Sequence, residues 1–220
     1  MFPNVDWEVM LAETWQTIYM TLVAGGATFI FGLALGIILY VTNEPLMMKN
    51  KAIYTIVSAL VNVFRSIPFI ILIILLIPFT KIVVGTILGS TAALPALIIG
   101  AAPFYARMVE LALREIDRGV IEAAESMGAT KWQIIYKVLI PEALPAIVSG
   151  ITVTLVAIVG YTAMAGVVGG GGLGNLAFLE GFQRSRNDVT LVATVLILVI
   201  VFVIQFIGDQ SVKKIDKRSA

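Results

Sequence analysis

The chain contains no cysteine and no histidine. That removes disulfides, thiolate and imidazole metal ligands, and every catalytic scheme built on Cys or His. Charge is scarce as well: 13% of the 220 residues are charged and the net charge is +1. No Lys/Arg tract forms a stripe that could follow a phosphate backbone, so nucleic acid is not an expected partner. No GxxxxGK[ST] loop occurs, so the chain has no phosphate-cradling loop for ATP. Asp6, Glu8 and Glu13 precede or open the first apolar run with no basic residue beside them. A cleavable signal peptide starts with positive charge, so the first apolar segment is expected to remain as an anchor.

What is present is hydrophobicity. Apolar residues make up 59% of the chain and its mean hydropathy is +0.99, values of a polytopic membrane protein. Period-2 alternation is absent and open sheet edges are not viable in lipid, so the fold class is all-α. A helical crossing takes about 20 mostly apolar residues. Five stretches qualify: Trp15–Tyr40, Ala52–Phe79, Ala92–Leu113, Leu144–Val168 and Val189–Ile207. The first holds Gly32 and Gly36 at the spacing that permits close helix packing. The third is interrupted by Pro95 and Pro103.

Five crossings put Lys49, Lys51, Arg114, Arg118, Lys131, Lys137, Lys213, Lys214, Lys217 and Arg218 on one side, and Lys81, Arg184 and Arg186 on the other. Cytoplasmic loops of membrane proteins carry the excess of Lys and Arg. The expected orientation is therefore N-terminus outside and C-terminus cytoplasmic. Trp7, Trp15 and Tyr19 suit the outer interface.

Between the third and fourth spans, residues 117–141 read as two short helices joined at a glycine. Val120, Ile121, Ala123, Ala124 and Met127 alternate with Glu122 and Glu125 at helical spacing, giving an apolar edge and an acidic one. Gly128 stands where a left-handed cap would end the first helix. Thr130 and Gln133 have the spacing of a capping box for the second. Pro141 is expected to close it before span four. The pair Ala123 and Ala124 offers a small surface for close approach of a partner, with Glu122 as a charged contact at its rim.

The run Glu122-Ala123-Ala124, three residues, Gly128, nine residues, Val138, one residue, Ile140-Pro141 resembles the EAA motif of ABC importer permeases, with aliphatic residues at the usual Ile and Leu positions. Asn62-Val63-Phe64-Arg65-Ser66-Ile67-Pro68, Gly100 to Glu110, and Gly160-Tyr161-Thr162-Ala163-Met164 through Gly174 are similar to the methionine-uptake permeases of that class. The resemblance implies a type I ABC importer permease fold over residues 14–209, an extracytoplasmic segment at 1–13 and a basic cytoplasmic tail at 210–220. It implies a multi-pass protein of the bacterial cytoplasmic membrane. Glu122, Ala123, Ala124, Gly128, Ile140 and Pro141 would couple it to two copies of an ATP-binding subunit, which holds the ATP. It further implies a second copy of the permease, an extracytoplasmic methionine-binding protein or lipoprotein, and methionine as cargo, the L form with the D form as a further candidate. The chain itself would carry no catalytic residues, metal or cofactor.

Arg65 lies deep in span two, roughly 20 Å along it. Such a charge costs about 2.5–3.5 kcal/mol on insertion scales unless it faces protein or water. It is read either as facing the translocation path or as clamping a kink at Pro68, whose ring removes the hydrogen bond to the Phe64 carbonyl. Asn62, Tyr161 and Met164 are further candidates for the path or kink. Arg107 beside Glu110 is expected to support helix packing. Gly169, Gly171 and Gly174 satisfy GxGxxG without a preceding strand, so they are read as a flexible outer loop or gate.

The rival within the class is a permease for another small amino acid or related solute. A stand-alone secondary transporter would call for intramembrane acids and often an inverted repeat, and neither is evident. An intramembrane enzyme would need a nucleophile–base pair or buried carboxylates, and none is expected.

Overall fold

The computed structural model describes residues 3–216, so the expected tail residues Lys217 and Arg218 lie outside it. All regular structure among the described residues is helical. Helix α1 runs from Trp7 to Asn43, longer than the expected span, because the Asp6 carboxylate accepts from the Glu8 and Val9 amides and starts the helix early. It packs along α5 (Ser90–Arg114). A β-carbon at Gly36 would stand 2.6 Å from the Ala106 carbonyl oxygen, so only glycine allows the two backbones this close. Pro95 and Pro103 do not interrupt α5, which is continuous.

Span two is not one helix. α2 (Lys51–Ser66) and α3 (Phe69–Leu75) meet at 106°, and α4 (Ile77–Val84) follows. The cause is local: Pro68 has no amide to donate, and it forces Ile67 into an extended conformation (φ −81°, ψ 124°). Among the described residues four helices are each long and apolar enough to cross a bilayer, and the bent pair taken as one span would make a fifth.

Pro141 does not close a helix either. α6 (Arg118–Ser126) is followed by α7 (Lys131–Ile134), which passes through a π-helical turn at Ile135–Leu139 into α8 (Ile140–Ala165). In that wider turn the Ile140 amide donates to the Ile135 carbonyl. The extra residue relieves the clash a proline ring makes with the preceding turn, so the rod runs on through Pro141.

Beyond α8 the chain kinks at Val168 and Gly169, forms α9 (Gly172–Leu176) and returns through another wide turn to α10 (Asn187–Ile215). The glycine segment, expected as a loop, is mostly helical and packed into the bundle. Gly170, Gly171, Gly172 and Leu173 are buried, the Leu173 amide donates to Thr17 Oγ1 at 2.9 Å, and the Gly89 amide donates to the Gly169 carbonyl at 2.9 Å. α10 continues past residue 210, so the first part of the expected tail is helical.

Candidate coupling surface and membrane cavity

The helix–turn–helix at residues 117–141 has the caps its sequence suggests, although its second helix runs on through Pro141. Asp117 caps α6 by accepting from the Gly119 amide at 2.6 Å. Gly128 takes a positive φ of 83°. Its amide donates to the Glu125 carbonyl at 2.8 Å while that of Ala129 donates to the Ala124 carbonyl at 3.1 Å, the paired bonds of a Schellman ending. Thr130 and Gln133 exchange both bonds of a capping box, at 3.3 Å and 2.8 Å.

Burial divides the motif into two sets. Ile121 and Ala124 sit in a core with Ile134, Leu139, Leu113 and Met47, and Val138 and Ile140 pack against it. Glu122, Ala123, Gly128 and Pro141 are exposed. Of the two alanines expected to form a surface, Ala123 is exposed, whereas Ala124 is buried and holds α6 to the bundle. The exposed side also carries Met127 at 82% and Trp132 at 67%, with Tyr136 and Val120 beside them. Sequence reasoning passed over Trp132 and Tyr136. Their signal was phase: Ile134, Ile135 and Leu139 point inward, which turns positions 132 and 136, four apart, outward.

Two ion-paired residues tie this unit to the turn between α1 and α2. Arg118 meets Glu44 at 3.3 Å. Lys131 pairs with Glu125 and donates to the Leu46 carbonyl at 2.5 Å.

Further along the bundle the break after Ser66 opens a cavity of about 110 Å³ lined by Phe64, Arg65, Ile67, Phe69, Leu72, Gly100, Phe104 and Tyr161. The rings of Tyr161 and Phe69 stack 4.5 Å apart and nearly parallel. Arg65 and Tyr161, candidates from distant parts of the sequence, therefore share one site. The others do not join them there. Pro68 makes the bend, Met164 is exposed one turn past Tyr161, and Asn62 accepts from Arg107 at 3.1 Å. Arg65 makes no bond to a kink carbonyl, so the clamp reading has no contact behind it.

Arg107 packs helices as expected, through a carboxylate that sequence reasoning did not count as buried. Glu110 is fully buried and is paired with both Arg107 and Arg114. Arg114 also donates to the Tyr54 hydroxyl at 3.3 Å. Burying a carboxylate is tolerable only with such partners; here they also pin α2 to α5.

Apolar helices packed around a break, with an exposed helix–turn–helix at one end, are the architecture of a multi-pass membrane protein. The chain belongs to the family of binding-protein-dependent transport system inner membrane components, whose pattern matches residues 8–220. It is 59% identical to the methionine import system permease protein MetP of Bacillus subtilis (strain 168), over 99% of this chain and 98% of that one. It is 48% identical to the probable D-methionine transport system permease protein MetI of Vibrio cholerae, over 96% and 94%. Among solved structures, an inward-facing conformation of the MetNI methionine ABC transporter matches with a TM-score of 0.94 at 47% identity, over 96% of this chain and 98% of that one. An amino acid ABC transporter crystallised with histidines shares the fold alone, with a TM-score of 0.77 at 19% identity over 94% of each chain.

Proposed function

We propose that this permease forms the translocation path of an ATP-driven methionine importer and is coupled to a separate ATPase through α6, the Gly128 turn and α7. The observation that carries it is the 59% identity to a methionine import permease across nearly the whole of both chains. Two copies of the permease would enclose the path, two ATP-binding subunits would dock on the exposed face around Ala123, Met127 and Trp132, and a binding protein would deliver cargo at the opposite end. Helix directions support the orientation with α6 and α7 inside. Lys49, Lys51, Arg114, Arg118, Lys131, Lys137, Lys213 and Lys214 flank that end of the bundle, while Lys81, Arg184 and Arg186 belong to the other. ATP closure would push on the docked helices, and the ties to Glu44 and Leu46 would pass that push to α1 and α2.

The test is reconstitution in vesicles of the chain alone, then with its ATPase, then with a methionine-binding protein outside. Labelled methionine should accumulate only in the full assembly with ATP. Accumulation by the chain alone under a proton or sodium gradient would replace this reading with a secondary transporter. ATP-driven uptake of another solute would keep the class and overturn methionine.

A further inference from the structure

Arg107, Arg114, Arg118, Arg184 and Arg186 each meet a carboxylate. Arg65 is the exception: among the described residues it has no hydrogen-bond or ion-pair partner. Its side chain is exposed at the end of α2, beside Ser66 and one turn past Asn62, where the chain bends. A guanidinium is always charged and presents a planar fork of donors that fits a carboxylate with two parallel bonds. The cavity it lines is otherwise aromatic and aliphatic, with Phe64, Phe69, Phe104, Tyr161 and Leu72 around it. No Asp or Glu lines the cavity. A zwitterionic amino acid would thus find a counter-charge for one of its ends only.

We propose that Arg65 binds the α-carboxylate of the transported amino acid inside the membrane, while the aromatic wall takes its apolar side chain. The proposal rests on the reading of this chain as an amino-acid permease and adds which group of the cargo is recognised and by what. Polarizable sulfur sits well at the edge of aromatic rings, so a thioether side chain suits this wall. Gly100 keeps the cavity open: a β-carbon there would stand 3.1 Å from the Phe69 ring and 3.3 Å from Leu72. Recognition by charge at one end and by an apolar wall at the other leaves the ammonium unread. An N-acylated amino acid should therefore still bind, and an amino alcohol should not.

The test is photolabelling of the permease–ATPase complex in nanodiscs with photo-methionine, whose diazirine lies in the side chain, followed by peptide mapping. The wild type should be labelled on the peptides that hold Phe104 or Tyr161. Excess methionine and N-acetylmethionine should compete, and methioninol should compete at least tenfold less well. Arg65→Gln should lose at least tenfold of the labelling, and Arg65→Lys, which keeps the charge and loses the fork, should lose less. Both variants must elute as assembled complexes, which separates loss of recognition from loss of fold. Equal competition by methioninol and methionine, unchanged labelling in Arg65→Gln, or no label in the cavity would overturn the proposal. If the full assembly instead imports another amino acid, the methionine reading alone fails. The same competition, run with that acid and its amino alcohol against a diazirine derivative of it, then decides the role of Arg65.

Discussion

Arg118, the first residue of α6, stands 3.3 Å from Glu44, the residue that caps the end of α1. The pair joins the start of α6 to the end of α1. If α6 docks the ATPase as proposed, its movement would pass to the end of α1 through this pair, with the Lys131–Leu46 contact as a second line to the same turn.

The Gly128 turn can be tested for backbone strain apart from crowding, since no atom lies within 4 Å of a β-carbon built there. Gly128→Asn should keep near-normal transport, because asparagine enters the left-handed region more readily than other residues. Gly128→Val should cost roughly 1–2 kcal/mol at the turn and lose ATPase copurification and uptake while the chain remains in the membrane. Equal behaviour of the two variants would remove the turn from the coupling mechanism.

The exposed face predicts a loss of partner without a loss of fold. Trp132→Ala, Met127→Ser and Glu122→Lys lie outside the core, so thermal unfolding of the purified permease should stay close to wild type. Buried aromatic anchors at interfaces carry about 2 kcal/mol or more, so Trp132→Ala should weaken ATPase association at least tenfold. Pull-down at graded ATPase concentration measures it. Unchanged association in all three would place the docking surface elsewhere.

Glu110→Gln should be among the most destabilising single changes in the chain. It leaves Arg107 and Arg114 facing a neutral group, and because those side chains are 21% and 42% exposed the cost falls below the about 3–5 kcal/mol of a fully buried pair. The melting temperature in detergent should fall well below that of Glu115→Gln, an exposed control. Because α2 is pinned through the same cluster, protease access to residues 51–66 should rise as well.

Two glycines of α1 form a matched pair. Gly36→Ala places a methyl against Val109 and the Ala106 carbonyl, whereas Gly26→Ala meets nothing within 4 Å. The first should lower yield and stability sharply. The second should be neutral or slightly stabilising, since alanine is the better helix former by about 1 kcal/mol. Comparable melts for the two would contradict the close α1–α5 crossing.

Much of this was legible in advance where a local rule and the global fold agree. The turn at Gly128 and the box at Thr130 follow from chemistry within a few residues, and the Gly32–Gly36 spacing found its partner in α5. Prolines were read less well, because the same missing amide has different outcomes in different surroundings. Pro68 broke a helix expected to continue, while Pro141 was absorbed by a π turn where a stop was expected, and Pro95 and Pro103 left α5 intact. Ala124 looked like surface because composition cannot tell which alanine of a pair faces the bundle. The cavity was half visible: Arg65 stood out by charge, but its meeting with Gly100, Phe104 and Tyr161 depends on how three helices pack around the break.

The passage of the chain through Pro141 has a mechanical consequence. Trp132 on the exposed face and Tyr161 beside Arg65 belong to one run of helix that continues from Lys131 through the π turn to Ala165, and at about 1.5 Å per residue they lie roughly 40 Å apart along it. On the function proposed above, this rod is a lever with the ATPase at one end and the cargo at the other. A tilt imposed at Trp132 would reach the Tyr161–Phe69 stack through helix alone, by way of the π turn at Ile135–Leu139.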